Sequence, residues 1–400
     1  MKSNYKRIGD YIQLVDERNK GLKVYKLLGI NINKHFMPSV ANIVGTDLSN
    51  YKIVQKNQFA CNRMHVGRDY RIPIAISDIE SPFIVSPAYD VFEIKDSKIL
   101  MPDYLMMWFS RLEFDRNAWF YTDADVRGGL AWKAFEDMLI PIPSIEKQRE
   151  IVEEYNTIQN RITLNQTLIK KLEETAQAIY KEWFVDFEFP NEEGKPYKSS
   201  GGEMVWCEEL GKEIPEGWEV ESLSKIAYYL NGLAMQKFPS DDESNFINVL
   251  KIRELSQGCF DDKSDKGSIN TPKEYIIEDG DVIFSWSGTL KVEIWCGGKG
   301  ALNQHLFKVY SDEYPKWYYY LWTNYHLNEF IRIAEGKATS LGHIKREHLD
   351  EALVLVPTSF KKLNPIMNTL IENIICKKLQ IRMLIEIKEL LLSKLAKIEN

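Results

Sequence analysis

The sequence predicts an α+β fold with two globular mixed α/β domains. We expect two long helices to separate these domains, packed as an antiparallel, coiled-coil-like pair that gives the chain a pseudo-twofold internal repeat. Two observations lead to this prediction, an internal repeat of about 210 residues and a heptad seam at the end of each half. The chain has 400 residues, which is enough for two domains and the structure that connects them.

The repeat is visible as short segments that return in the same order at a nearly constant offset. Each half opens with strand-like segments and closes with a proline followed by a long helix. The corresponding segments are 51–57 with 275–281, 103–108 with 316–321, and 138–143 with 352–357. Several matches in one order indicate a duplication more strongly than any single match.

Each half ends in a heptad seam, in which apolar residues recur at alternating steps of four and three. The direction of pairing does not follow from the seams, but antiparallel pairing within one chain gives the pseudo-twofold symmetry. A homo-oligomeric coiled coil is the alternative. The predicted seam residues are Ile151, Tyr155, Ile158, Ile162, Asn165, Ile169, Leu172, Ile179 and Trp183 in the first helix, and Leu370, Ile374, Lys377, Ile381, Leu384, Leu391 and Leu395 in the second.

The domain boundaries follow from the positions of the seams and of a polar connector. The connector is rich in proline, glycine and serine, so we expect it to be loop-like. The predicted divisions are a first domain over 1–143, the first long helix over 144–189, the connector over 190–217, a second domain over 218–357 and the second long helix over 358–400.

Composition and charge exclude several classes of protein. No stretch approaches the roughly 20 apolar residues of a membrane helix, and residues 1–10 hold no apolar run of a secretory signal. The five cysteines show no C-x-x-C spacing, which argues against a zinc site and a disulfide framework. We therefore expect a cytoplasmic protein with reduced thiols. The net charge of −7 is unusual for a lone DNA-binding domain.

Catalytic signatures with the required spacing are missing from the sequence. No phosphate-binding loop, dinucleotide-binding glycine motif, methyltransferase pocket or deaminase motif is present. One fragment, Asp78 with Glu93 and Lys95, has the spacing of a metal-dependent nuclease. This fragment makes a nuclease one possible function of the chain. A coiled-coil scaffold that does not bind DNA is another possible function.

Two segments carry a resemblance to a known family. Residues 180–190, YKEWFVDFEFP, resemble the central conserved segment of the specificity subunits of type I restriction-modification enzymes. Residues 210–220, LGKEIPEGWEV, resemble the entry into the second target-recognition domain of those subunits. With the duplicated plan, the resemblance extends over nearly the whole chain.

The resemblance implies a subunit without catalytic activity that reads double-stranded DNA. Each target-recognition domain would read one half of a bipartite, asymmetric target, and the helices would set the unread gap. The helices would also dock two methyltransferase subunits, which bind S-adenosylmethionine and methylate adenine. Restriction subunits that use ATP and Mg²⁺ would complete the assembly. The chain itself would hold no cofactor and no metal.

Candidate DNA-facing residues are chosen for their chemistry, since arginine forks suit guanine edges and phosphates, and amides suit adenine. For each residue alone, an ordinary solvated loop is the alternative. In the first domain the candidates are Asn62, Arg63, His65, Arg68, Arg71, Arg127 and Lys133. In the second they are Ser285, Ser287, Thr289, Asn303, Gln304, Lys337, Thr339, Ser340, His343 and Lys345.

Apolar residues off the seams predict a docking surface for the methyltransferase subunits. The alternative is that these side chains pack under the two domains. The residues are Leu164, Leu168, Phe184, Ile371, Ile375, Ile385 and Leu392.

Overall fold

The computed structural model describes residues 5–41, 45–64, 66–122, 128–240, 244–336 and 342–397. The chain divides into two compact units. The first unit consists of Met1–Arg161 with Leu384–Asn400, and the second of Ile162–Met383. Both divisions fall inside the long helices, so each unit holds one predicted domain together with part of each helix.

The described residues of the first unit form ten strands, four short α-helices and the start of a long one. The strands are β1 Tyr5–Arg7, β2 Ile12–Val15, β3 Leu28–Ile30, β4 Phe36–Pro38, β5 Lys52–Val54, β6 Phe59–Cys61, β7 Ile74–Ile76, β8 Phe83–Val85, β9 Asp90–Ile94 and β10 Leu139–Pro141. The helices are α1 Val66–Asp69, α2 Pro102–Phe109, α3 Leu112–Phe120, α4 Trp132–Asp137 and α5 Ile145–Phe184.

The main sheet of the first unit is antiparallel and has the strand order β2-β9-β6-β7. Its core is aromatic. Phe59 of β6 stacks on Phe92 of β9 with ring centres 5.0 Å apart, and Phe109 of α2 meets Phe59 edge-on at 5.9 Å. Three further antiparallel pairs, β1–β10, β3–β4 and β5–β8, complete the unit. Burying these rings gives the sheet a rigid base for its loops.

In the second unit, the residues that the structure describes form twelve strands, four shorter α-helices and most of the second long helix. The strands are β11 Met204–Cys207, β12 Lys212–Pro215, β13 Glu219–Ser222, β14 Tyr228–Asn231, β15 Ile247–Leu250, β16 Lys266–Gly267, β17 Ile276–Ile277, β18 Val282–Ser285, β19 Lys291–Ile294, β20 Gly300–Leu302, β21 Leu306–Tyr310 and β22 Leu353–Val356. The helices are α6 Leu223–Ile226, α7 Ile252–Gln257, α8 Lys316–Glu335, α9 Glu347–Glu351 and α10 Asn364–Lys394.

The main sheet of the second unit is antiparallel, with the order β14-β21-β18-β19. In both main sheets the first strand along the chain pairs with the last, and the last pairs with the second. A second sheet, β16-β15-β20-β17, includes one parallel pair, β15 with β20. Helix α8 covers the main sheet, and Phe330 of α8 stacks on Phe284 of β18 at 5.8 Å.

Within the second unit, the two long helices pack together in antiparallel fashion. Near the end of α5, Phe184 lies 6.1 Å from the ring of Trp317, whose indole donates a hydrogen bond to Asn364 at the start of α10. Further from both of these ends, Asn165 Nδ2 donates to Gln380 Oε1 at 3.3 Å. Lys377 Nζ donates to the same oxygen at 3.1 Å, so both polar seam members meet on one glutamine.

Within the first unit, the start of α5 and the end of α10 share one core. Ile151 and Val152 lie in the same buried cluster as Leu392 and Leu395. Arg111 Nε donates to the carbonyl of Leu392 at 3.0 Å, which satisfies one of the free carbonyls at the end of α10. The prediction that the two long helices pack together is confirmed in each unit.

Every predicted seam residue is buried or half-buried, but the docking surface predicted off the seams is only partly exposed. Leu164, Leu168 and Ile385 are 54%, 38% and 42% exposed. Phe184, Ile371 and Leu392 are 0%, 3% and 3% exposed, so assigning them to an open surface was wrong. These three side chains pack in the cores of their own units, because burying an apolar side chain is more favourable in free energy than leaving it exposed on a helix face.

The connector holds more structure than its composition predicts. Strands β11 and β12 pair as an antiparallel hairpin, and the ring of Phe189 stacks on Tyr197 at 4.6 Å. Gly211, with a φ of +60°, allows the four-residue turn of this hairpin, and its amide donates to the carbonyl of Cys207 at 2.9 Å. Among the described residues, no helix combines the length and apolar character needed to cross a membrane.

Candidate nucleic-acid interface

In the first unit, the loop from β6 to β7 (residues 62–73) is tied to the segment that precedes α4. The amide of Leu130 donates to the carbonyl of Arg63 at 3.0 Å. The amide of Gly67 donates to the carbonyl of Gly128 at 2.8 Å. These two backbone bonds hold the loop at one end of the main sheet.

The close approach at this point requires glycine on both sides. A Cβ atom on Gly67 would lie 2.7 Å from the Cα of Gly128, and a Cβ on Gly128 would lie equally close to Gly67. Gly128 also has a φ of +56°, which favours glycine. The two segments therefore pack backbone against backbone, with no side chain between Gly67 and Gly128.

The second unit repeats this arrangement with different residues. The loop from β18 to β19 (residues 286–290) is tied to the segment that precedes α9. The amide of Ile344 donates to the carbonyl of Trp286 at 3.1 Å, and the amide of Gly288 donates to the carbonyl of Gly342 at 3.0 Å. Each unit thus has a clamped loop at the same place in its main sheet, and most of the candidate residues lie on or beside these two loops.

The arginines of the first clamped loop differ in their surroundings. Arg63 is 20% exposed, and its Nε donates to Asp90 at 2.6 Å while its guanidinium lies 5.5 Å over the ring of Trp132. It also donates to the carbonyl of Leu130. These contacts hold the loop in place, so we assign Arg63 a structural role.

Arg68 and Arg71 are better placed to meet a ligand. Arg68 is 66% exposed and forms two hydrogen bonds with Asp69, which raise the pKa of its guanidinium. The side chain of Arg71 is half-buried and makes no hydrogen bond or ion pair within the part of the chain that the structure describes. A guanidinium without a partner can bind a phosphate or a guanine edge without first breaking an internal contact.

Two other first-unit candidates have local partners. Asn62 Oδ1 accepts a hydrogen bond from the amide of Met64 at 3.0 Å and so closes a turn. Lys133 is 69% exposed and lies 3.3 Å from Asp137, one turn along α4. An exposed pair of this kind is weak, so Lys133 stays available to an anion.

A buried ion pair fixes the end of the first clamped loop to α3. Lys34 Nζ lies 2.8 Å from Asp115 Oδ1, and the same oxygen accepts a hydrogen bond from the amide of Ile72 at 3.1 Å. Burial lowers the pKa of Lys34, and the adjacent Asp115 opposes this shift. Sequence reasoning missed this pair, because neither residue stands in a recognisable motif.

In the second unit, the clamped loop meets the turn 303–305 in a polar cluster. Gln304 Nε2 lies 3.2 Å from His305 Nε2, and His305 Nδ1 lies 3.0 Å from Ser287 Oγ. Because an amide nitrogen can only donate, Nε2 of His305 accepts and Nδ1 carries the proton towards Ser287. His343 pairs with Ser287 in a β-bridge, so three candidates lie together with His305.

Trp286 is the centre of this cluster, and its central role was not predicted. Its indole donates to Asn231 at 2.9 Å, and its ring lies 6.0 Å from His305 and 6.2 Å from His343. The signal available in the sequence was a tryptophan inside a run of small polar residues. Its ring gives the polar groups a rigid support.

Two candidates of the second unit are corrected. Ser285 is 0% exposed and its hydroxyl donates to the carbonyl of Ser287, whereas Asn303 is 5% exposed and accepts from the amide of His305. Both side chains are buried and hydrogen-bonded to the backbone of their own turns, so neither is placed to contact DNA. A strand end and a tight turn place alternate side chains inward, which the residue type alone does not reveal.

The remaining candidates are exposed or lie outside the described residues. Thr289 and Lys345 are exposed, and Lys345 pairs with Glu347 at 2.9 Å. The candidates that fall outside the described residues are His65, Arg127, Lys337, Thr339 and Ser340.

Comparison with known protein families finds a match to the part of the chain that holds the second clamped loop. Residues 215–383 match the type I restriction modification DNA specificity domain. Over these residues the chain is similar to type I DNA specificity domains. The resemblance to type I specificity subunits that the sequence suggested is confirmed, and the second clamped loop, with its Trp286 cluster, lies inside the matched residues.

Individual curated relatives show a similarity to the same family. The specificity subunit of the type I restriction enzyme MjaIX from Methanocaldococcus jannaschii is 27% identical over 287 residues, which cover 68% of this chain and 64% of that protein. The HindI specificity subunit from Haemophilus influenzae is 24% identical over 160 residues, 39% of this chain and 34% of that protein. The chain thus matches less than two thirds of the length of these curated relatives.

A solved structure shares the fold. The S subunit of a type I restriction-modification system from M. genitalium covers 98% of this chain and 95% of its own, with a TM-score of 0.53 and 13% sequence identity. At this identity the likeness concerns the architecture and not the residues that read DNA.

The nuclease alternative is not favoured beside a type I specificity domain. Both carboxylate oxygens of Glu93 accept hydrogen bonds from amides, those of Gln13 at 2.8 Å and Gln58 at 3.0 Å. Lys95 Nζ donates to the carbonyls of Gly9 and Asp10 at 3.0 and 3.1 Å. These side chains therefore join neighbouring segments, and the described residues contain no group of three or more acidic, histidine or cysteine side chains that could hold a metal.

Proposed function

We propose that the chain is the DNA sequence-recognition subunit of a type I restriction-modification system, and that it reads a bipartite, asymmetric target. The observation that carries the proposal is the pair of clamped loops, one in each unit, of which the second lies in a matched DNA specificity domain. The first loop offers arginines and the second offers amide, hydroxyl and imidazole groups. Different chemistry on equivalent loops suits two different half-sites.

We also propose that the two units arose by internal duplication. The shared strand order of the main sheets and the equivalent backbone clamps support this proposal. A duplicated plan gives each half its own core and its own exit helix. Each half can then change its loops without changing the other, which makes specificity modular.

The proposed partners are double-stranded DNA, two methyltransferase subunits and restriction subunits, in the cytoplasm. The chain would contribute no catalytic group. S-adenosylmethionine would bind the methyltransferase subunits, and ATP and Mg²⁺ the restriction subunits. Within the part of α10 that belongs to the first unit, Ile387 and Leu390 are 48% and 61% exposed and lie three residues apart, so they form an apolar patch suited to a partner helix.

The proposal predicts that the first domain can be exchanged alone. Replacing residues 1–143 with the matching segment of another specificity subunit should change one half of the methylated target and leave the other half unchanged. The physical reason is that the two main sheets and their loops belong to separate cores. The measurement is methylation sequencing of DNA from cells that hold the exchanged chain and the methyltransferase subunit.

The matched control is the unexchanged chain in the same cells. Independent reading by the two units would be contradicted by an exchange that alters both halves of the target. A product that methylates the original target in full would show that the first domain takes no part in reading.

A further inference from the structure

An exposed aromatic face borders the first clamped loop. Tyr70, Trp119, Phe120 and Tyr121 are 62%, 45%, 77% and 53% exposed. The ring of Tyr70 lies 5.2 Å from Trp119, and that of Phe120 lies 5.4 Å from Tyr121 in an edge-on contact. We call these four residues the aromatic face. Holding four large rings in solvent costs hydrophobic free energy, which calls for a functional reason.

The position of the aromatic face is fixed by a strained residue and by a buried ion pair. Tyr70 has a φ of +56°, a conformation that bulky residues rarely adopt. Two residues further on, the amide of Ile72 is held by Asp115, which is itself paired with the buried Lys34. A surface loop without a role would relax such strain.

Three arginines lie next to residues of the aromatic face, in the chain or on α3. Arg116 lies one helical turn before Phe120, so both side chains share one face of α3. Arg116 is exposed and has no ion pair within the described residues. Arg68 and Arg71 lie on either side of Tyr70 in the chain, and Asp69, which pairs with Arg68, balances one of these charges. In a protein of net charge −7, this local excess of arginine fits a polyanion.

We propose that the aromatic face stacks on bases of the half-site read by the first unit, with Phe120 inserted as a wedge at a base step. This inference rests on the proposed function and adds a mode of recognition to it. Every base has a π-face that an aromatic ring can cover, and apolar wedges unstack and kink duplex DNA. The neighbouring arginines would bind the phosphates on either side of the step.

The test uses the full chain reconstituted with its methyltransferase subunits. The DNA carries 2-aminopurine, whose fluorescence rises when it is unstacked, in the half-site assigned to the first unit. We expect a rise on binding the unaltered complex, and Phe120→Ala should remove most of it and weaken affinity roughly tenfold. Phe120→Trp should retain both, because it restores a ring.

Tyr25 provides a matched control, because it is an aromatic residue of the first unit that is 72% exposed. Tyr25→Ala should change neither the fluorescence nor the affinity. The inference would be overturned if Phe120→Ala left both signals intact. It would also be overturned if that variant weakened only the binding of the methyltransferase subunits, which would assign the face to a protein contact.

An unaltered complex without any specific DNA binding would overturn the proposed function and this inference together. A complex that binds its split target normally while Phe120→Ala has no effect would overturn this inference alone. The two failures are therefore distinguishable in one series of measurements.

Discussion

Replacing Asp115 with alanine is expected to destabilise the first unit by roughly 3–5 kcal/mol, the usual cost of removing one partner of a buried ion pair. Lys34 is 8% exposed and Asp115 is 4% exposed, so the lysine would keep a buried charge without its carboxylate. The amide of Ile72 would lose its acceptor at the same time. The loss should fall on the end of the clamped loop and on the aromatic face beside it.

The measurement is hydrogen exchange of peptides from α3 and from the β6–β7 loop, followed with increasing urea. The control is Lys133→Ala, which removes an exposed pair in the same unit and should cost less than about 1 kcal/mol. Replacing both partners, as Lys34→Met with Asp115→Leu, should recover part of the stability, because it removes the lone buried charge but leaves the amide of Ile72 without its acceptor. If Asp115→Ala cost no more than Lys133→Ala, the pair would not be the anchor described above.

Shortening both long helices by one heptad is expected to shorten the unread gap of the target by up to about three base pairs. Seven residues span about 10 Å of helix, and three base pairs of B-DNA span nearly the same length. Three base pairs also turn one half-site by about 100° around the duplex, so affinity should fall together with the gap. Both half-sites should stay the same.

The structure shows which seven residues to remove. Deleting 157–163 from α5 and 383–389 from α10 removes Gln159 and Lys388 together, and these two are hydrogen-bonded at 3.2 Å. The seam steps remain four and three on both sides of each cut. The deletion spares Lys378 and Arg382, which join α10 to Glu293 and Asp279 within the second unit.

The gap is read by methylation sequencing, with the single deletion of 157–163 as a control. That variant leaves one seam longer than the other, so it should lose activity instead of gaining a new gap. A double deletion that methylates the original target with the original gap would show that the helices do not set the spacing.

Much of the framework follows from patterns in the sequence. The heptad steps predicted both long helices, because the buried face of a helix repeats every three to four residues and apolar residues recur at that spacing in both seams. The segments before Pro143 and Pro357 became β10 and β22 as predicted. The two polar seam members, Asn165 and Lys377, were also predicted. Their shared contact with Gln380 could not be predicted, because the seams do not give the direction in which the helices pair.

The site was less predictable than the framework because side-chain direction decides it. Ser285 and Trp286 are neighbours, yet one is buried and the other borders the candidate surface. The Lys34–Asp115 pair joins residues far apart in sequence, so no local pattern marks it. The clamps use backbone atoms, and only their glycines leave a trace in the sequence.

The most direct test of the central claim is a methylation map of DNA from cells that hold this chain with its methyltransferase subunit, compared with cells that lack the chain. We predict methylated adenines in one split motif, with two specific segments separated by a gap of fixed length. This motif should vanish when the chain is removed. A continuous motif, or a methylation pattern that is the same with and without the chain, would contradict the account.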